Sequence, residues 1–443
     1  MKFSKSVESP AVGVGGRGDS SGSAATGPRR RGGSSGSSAT GVRRLRSLSQ
    51  LFVVATIGLV VACLLSACQL VTIDFVYLAG AGTTGGDGEI QVFAADSQSG
   101  ALRSGPAAAD SGGPSPIAMT VSSDFTNLYV ANQGNNSVVH FTLGTNGSLA
   151  KKDSVTLSDV PTSVAVNAAG TYLYVVSGTT SATLTVFPLS SGTIGSAATQ
   201  EVLTVPTNPS DIIISTGVTA LANNNAVYVT AYDQSAYNPG GTTTSNANPG
   251  WLFGFSVGSG GALTATTGSP YRAGVKPSGL VADPTSRFVY VTDFASSQLI
   301  GYTIQSSGTL TFLVNGPFKT GSEPSAIAID PRGKYLYVAN SLDASVSAFT
   351  IDLATGTPSA AVNVTGASIN STDTQPEAIV VDPALGRFVY TANFLGNSIS
   401  GFRLDPNAGS LTPAQATPFP SGPKPTAIAA VPHGNHSTQA TFP

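Results

Sequence analysis

A strand-like hexapeptide centred on tyrosine occurs seven times in this chain, as "FVYLAG", "NLYVAN", "YLYVVS", "AVYVTA", "FVYVTD", "YLYVAN" and "FVYTAN". Its tyrosines are Tyr77, Tyr129, Tyr174, Tyr228, Tyr290, Tyr337 and Tyr390. The shortest interval, Tyr129 to Tyr174, is 45 residues and the longest, Tyr228 to Tyr290, is 62. A period of that size suits one four-stranded sheet with its turns. The unit is clearest from Pro324: "PSAIAID" reads as a strand, "PRGK" as a turn, "YLYVAN" as an alternating strand, "SLDA" as a turn and "SVSAFTI" as a third strand. Val, Thr, Tyr and Phe dominate these segments, and such residues favour strands.

A second repeat is offset from the first. Seven small-and-apolar strands are each read as opening on proline: Pro116, Pro161, Pro209, Pro277, Pro324, Pro376 and Pro425. The body thus begins on a tyrosine strand and ends on a lone proline strand. A ring closes if that last strand joins the first sheet, which pairs both open edges. The expected fold is all-β: a seven-bladed β-propeller of four-stranded antiparallel blades, closed by the C-terminal strand in the N-terminal blade. It is expected to span residues 68–431, with 432–443 a disordered tail.

The N-terminal part is different in kind. Residues 1–50 are a basic, Gly/Ser-rich low-complexity segment that lacks the means to pack. Residues 51–67, "LFVVATIGLVVACLLSA", follow Arg43, Arg44 and Arg46, the pattern of a secretory signal. Leu65-Ser66-Ala67-Cys68 resembles a bacterial lipobox, which implies acylation of Cys68 and a membrane partner. Gln69, rather than Asp, implies sorting to the outer membrane by the same resemblance. The alternative is an uncleaved anchor. The only other cysteine, Cys63, lies in the leader, so the body is expected to hold together without disulfides.

Residues 68–443 contain twelve Lys/Arg and twenty-one Asp/Glu. That acidic balance excludes the basic stripe of a nucleic-acid binder. No zinc spacing, phosphate loop or Gly-x-Ser-x-Gly elbow occurs, so no metal or cofactor is expected.

The paired proline and tyrosine strands, written P-x-x-(I/V)-A-(I/V)-(D/N)-P-x-G-x-(Y/F)-(L/V)-Y-V-(A/T)-(N/D), resemble the YVTN repeat of lactonase-type propellers, among them 6-phosphogluconolactonase-like proteins. The resemblance covers about residues 74–431. It implies the fold and, for some members, hydrolysis of cyclic esters; one fold hosts many functions. Lactonase-like relatives carry a Pro-His-x-His pattern at the channel mouth. Here the residues after the seven prolines are Ile117, Thr162, Ser210, Ser278, Ser325, Glu377 and Thr426. His140 reads as a packing residue, and His433 and His436 fall in the tail.

Two readings follow. The first is a lipid-anchored, monomeric binding or scaffold module that engages an envelope protein or glycan at its channel mouth. The second is a lactonase acting on small cyclic esters. The loops expected on the mouth face carry Asp211, Lys276, Asp293, Glu323, Asp343, Glu377 and Lys424. Glu377 is the expected base, with Lys276 and Asp211 as further catalytic candidates. The insertion Tyr232–Trp251 interrupts one blade and offers Tyr232, Asp233, Tyr237 and Trp251 to a ligand, together with Glu323 and Asp293. Trp251 alternatively opens the third strand.

Overall fold

Alternation along each strand sends side chains to both faces of a blade, and both faces meet a neighbouring blade. This is why the tyrosine strands are apolar on both sides. The computed structural model describes residues 71–82, 86–205, 211–237 and 249–434. The segments 1–50 and 51–67, Cys68, Pro209, Ser210 and His436 lie outside the described residues. Among those described, no helix is long and apolar enough to cross a membrane.

The fold is the expected seven-bladed propeller. In blade six the strands are Pro324–Ile329, Tyr335–Asn340 and Ser345–Ile351, followed by an outer strand in two pieces, Pro358–Ala360 and Ile369–Ser371. Each proline strand is the inner edge of its sheet. Blade one draws its second strand, Thr72–Gly80, from the N-terminal side and its inner strand, Pro425–Pro432, from the C-terminal end. The two pair antiparallel, with Tyr77 opposite Ala429.

One expectation needs correction. In blade five Tyr290 pairs with Val281, four residues after Pro277. In blade four Tyr228 pairs with Thr219, so Ser215 occupies the proline position. The strand runs Ile213–Ala220 and opens well past Pro209. The residue equivalent to Ser278 is therefore Thr216, not Ser210.

The repeated tyrosine stitches the ring. Tyr77, Tyr129, Tyr228, Tyr290, Tyr337 and Tyr390 each donate their hydroxyl to a glycine carbonyl in the outer turn of the next blade: Gly147, Gly192, Gly308, Gly356, Gly409 and Gly100. The last of these bonds crosses the seam from blade seven to blade one. Gly409 shows why the acceptor is glycine. Its φ is 69°, and an added Cβ would lie 2.1 Å from the Tyr335 ring. A buried hydroxyl bonded in this way contributes about 1 kcal/mol and would cost more if orphaned. Burial also pushes the Tyr337 hydroxyl pKa up, so it stays a donor.

The seam carries a cost as well. Asp74 in the second strand of blade one is fully buried, and neither carboxyl oxygen has a hydrogen-bond partner. Burial raises its pKa well above the ordinary value; nearby Asp382 adds to the rise, and Arg387 opposes it. The folded state therefore holds a proton that the unfolded state releases near the normal carboxyl pKa. Stability from this group is present below that pKa and falls as pH rises above it, by about 1.4 kcal/mol per pH unit within the window. Thermal unfolding of Asp74→Asn is expected to lack this loss as pH rises above the ordinary carboxyl range of about 4. Parallel pH profiles for wild type and variant would contradict the assignment.

Candidate functional site

The seven inner strands converge on a central channel, and the three residues after each strand-opening position form stacked rings. The first ring is Ile117, Thr162, Thr216, Ser278, Ser325, Glu377 and Thr426. The second is all small, from Ala118 and Ser163 to Gly279 and Ala427. The third is all apolar, including Met119, Val164, Leu280, Ile327 and Ile428. Together with Gln375 and Phe394 they enclose a cavity of about 510 Å³, within the size range of small-molecule sites.

The hydroxyls of the first ring hold the architecture. Ser325 donates to the Pro376 carbonyl of the next blade at 2.6 Å, and Thr426 to that of Pro116 at 2.5 Å. Ser278 does the same to Pro324. Thr162 bonds the Ser215 hydroxyl at 2.7 Å, since blade four has serine at that position. In blade two, where Ile117 has no hydroxyl, Gln133 from the adjoining loop donates to Pro161 at 3.2 Å. The hydroxyls of Ser278, Ser325 and Thr426 are thus committed donors and poor candidates for nucleophiles.

Glu377 breaks the pattern. It is the one charged side chain among the residues lining the cavity. Its Oε1 accepts from Gln375 Nε2 at 2.8 Å and from the Ser341 hydroxyl at 3.1 Å. Gln375 sits at φ 59°, a left-handed conformation it shares with Ser115, Glu323 and Lys424, the residues before three other strand-opening prolines. The repeat thus sets the backbone before these prolines, and of the four only Gln375 lines the cavity. Ser341 and Phe394 directly follow Asn340 and Asn393, which end the tyrosine strands of blades six and seven. None of Gln375, Ser341 and Phe394 stood out in the sequence; the available signal was their place beside Pro376 and at those strand ends. The inner edges of the proline strands pair on one side only, so alternate backbone N–H groups face the channel.

The other candidates are placed elsewhere. Lys276 does not line the cavity; its ammonium lies over the rings of Phe294, Tyr237 and Tyr232, at 4.7, 5.4 and 5.8 Å. It is held by aromatic faces and does not oppose Glu377. Tyr232 and Tyr237 meet edge to face at 5.6 Å. Asp233 is buried and accepts from the backbone N–H of Ser235 and Ala236. Its pKa is raised by burial and by the neighbouring carboxyl of Asp211. Asp293 is fully buried and accepts from the N–H groups of Val275 and Lys276, both at 2.9 Å, so it caps a turn and is closed to ligand. Trp251 is 6% exposed and packs in the core under the Arg272 guanidinium; it opens the third strand, Gly250–Val257, and is not an exposed platform. Glu323 is half-buried on the mouth face but does not line the cavity.

His140 is buried between Asp153 and Asn127, each 2.8 Å from a ring nitrogen, and stacks on Tyr129. It is a packing residue away from the channel. Among the described residues, no group of three or more His, Cys, Asp or Glu is placed to hold a metal ion.

A family model described as a lactonase, seven-bladed β-propeller, matches residues 76–211 and 264–436. No curated protein sequence matches the chain. Among solved structures, the periplasmic gluconolactonase PpgL of Pseudomonas aeruginosa is similar, with TM-score 0.66, 20% identity, and coverage of 81% of this chain and 99% of the other. A Bacteroides fragilis protein provisionally assigned as a 6-phosphogluconolactonase has TM-score 0.65 and 18% identity, with coverage of 82% and 99%. A Lactobacillus plantarum protein has TM-score 0.65 and 16% identity, with coverage of 81% and 99%. At these identities the likeness is one of fold.

Proposed function

The chain belongs to the seven-bladed lactonase propeller family, and from that premise we propose that it hydrolyses small cyclic esters in the channel-mouth cavity, with Glu377 as general base. The observation that carries this reading is the lone charged group, a carboxylate, in a cavity otherwise lined by hydroxyl, small and apolar groups and the Gln375 amide. Glu377 takes a proton from water, the resulting hydroxide adds to the ester carbonyl, and inner-edge N–H groups stabilise the oxyanion. The ring C–O bond then breaks. Glu377 returns the proton to the leaving oxygen, giving an open-chain hydroxy acid. Gln375 and Ser341 aim the carboxylate. The P. aeruginosa neighbour is a gluconolactonase, which favours this over a scaffold role.

No Lys, Arg or His lines the cavity, which disfavours a phosphorylated substrate. The test is a panel assayed with the full chain. Unphosphorylated five- and six-membered lactones are expected to be opened faster than 6-phosphogluconolactone. Absence of turnover on every lactone would favour the second reading, a binding module that uses the same cavity. That reading is supported by the structural commitment of the ring hydroxyls.

We also propose that the protein is held at the cell envelope through acylated Cys68. The strand Thr72–Gly80 begins on the face opposite the channel mouth, a placement compatible with an anchored chain whose mouth is open to solute. Metabolic labelling with palmitate is expected to mark the wild type and to be lost in Cys68→Ser; equal labelling of both would remove the lipoprotein reading.

A further inference from the structure

The first ring recognises donors, not acceptors. The protons of Ser278, Ser325 and Thr426 go to proline carbonyls of neighbouring blades, and Thr216 reaches only the Thr230 carbonyl and hydroxyl. What these hydroxyls offer the cavity is lone pairs. Glu377 adds a carboxylate, which is acceptor-only, and the lining contains no cation. The surrounding face reinforces the sign. Asp373 and Asp343 lie in its loops, and the Asp373 pKa is lowered by hydrogen bonds from Ser398 and the Thr374 backbone, which keeps it charged. The two lysines that precede strand-opening prolines, Lys276 and Lys424, both stay outside the lining; Lys276 lies over three aromatic rings two blades away, and Lys424 stands on the adjoining blade.

The cavity also has an apolar end. The ring containing Met119, Leu280, Ile327 and Ile428 lies two residues deeper than Glu377 along the inner strands. At roughly 3.3 Å per residue, that is about 7 Å, the length of a five- or six-membered ring with one substituent. Phe394 lines the mouth on the same blade as Glu377 and offers an aromatic face.

Resting on the reading of this cavity as the substrate site, we infer that its substrate is a lactone bearing a protonated amine: the ammonium sits against the ring hydroxyls and Phe394, drawn by the charge of Glu377 without displacing the water that Glu377 activates, and the carbon skeleton lies against the apolar ring. A phosphorylated or carboxylated lactone meets the wrong charge. An uncharged lactone fits but forgoes the charge-assisted hydrogen bonds.

The probes are three six-membered rings of one shape, cyclohexylammonium, cyclohexanol and cyclohexanecarboxylate, titrated calorimetrically into the full chain. Cyclohexylammonium is expected to bind at least about tenfold more tightly than cyclohexanol, and cyclohexanecarboxylate more weakly than either. Glu377→Gln is expected to bring the ammonium down to the level of the alcohol, with the melting temperature reporting that the variant is folded. Equal binding of ammonium and alcohol in the wild type overturns the inference, as does a preference that survives in folded Glu377→Gln. The two readings separate cleanly. Turnover of uncharged lactones without ammonium preference retains the hydrolase and rejects the amine. Ammonium preference without turnover of any lactone retains the amine site and rejects the hydrolase.

Discussion

A chain ending at Pro423 is expected to lose cooperative folding altogether, whereas one ending at Gly434 keeps the unfolding transition of the full chain. The strand Pro425–Pro432 is inserted between two blades. Ala427, Ala429 and Val431 pack with Tyr77 and Leu128, while Ile428 and Ala430 pack with Phe388 and Tyr390. Removing it strips one wall from two apolar interfaces and leaves the strand Thr72–Gly80 as an open edge. Burial of Ile428 and Val431 alone is worth about 1.5–3 kcal/mol each, before the ladder and the alanines are counted. The whole stability of a domain is about 5–15 kcal/mol, so the loss is of the same order as the total. The exposed edge then templates association. Thermal unfolding and size-exclusion chromatography of the two truncations check this. A sharp transition within a few degrees of the full chain, from a monomer ending at Pro423, would show that the seam is dispensable.

The architecture was legible because its signals are local. A tyrosine strand and a proline strand each announce themselves within six residues, and their offset announces the closure. The exception is instructive. Blade four has Ser215 where its siblings have proline, and only its register against Tyr228 reveals the equivalence, so a nearby proline, Pro209, was mistaken for the marker. The tyrosines themselves were visible as punctuation, but their task was not. Six of the seven have their hydroxyl partner in the next blade, and for Tyr390 it is Gly100, 290 positions away.

The site shows the same division. Glu377 was legible because it violated a pattern: one carboxylate where neighbouring copies place hydroxyls. Its supports, Gln375 and Ser341, come from different loops that meet only in the ring. Lys276 and Asp293 looked like available charges because a sequence does not show that three aromatic rings and two backbone N–H groups already engage them. For Trp251 the sequence left two readings open, ligand contact and the opening of the third strand, because whether an aromatic there is exposed depends on its neighbours across the sheet and in the next blade, here Arg272 and the core of blades three and four.

The central claim is that the channel-mouth carboxylate does the chemistry, and the replacement Glu377→Gln isolates it. Glutamine keeps the shape, still accepts from Ser341 through its carbonyl oxygen, and fills the same space beside Gln375. It cannot accept a proton from water at any working pH. General-base catalysis typically contributes a factor of about 10² to 10⁴. For an uncharged lactone the loss falls on kcat, because the ester gains little ground-state binding from the carboxylate, and KM stays within a few-fold. Ser341→Ala removes only a positioning hydrogen bond and is expected to cost far less, roughly tenfold or under. Steady-state hydrolysis of an unphosphorylated six-membered lactone by wild type and Glu377→Gln is therefore the decisive measurement. A fall in kcat of at least about 100-fold in a variant that melts with the wild type is the predicted result; a kcat within twofold of wild type would place the chemistry elsewhere in the molecule.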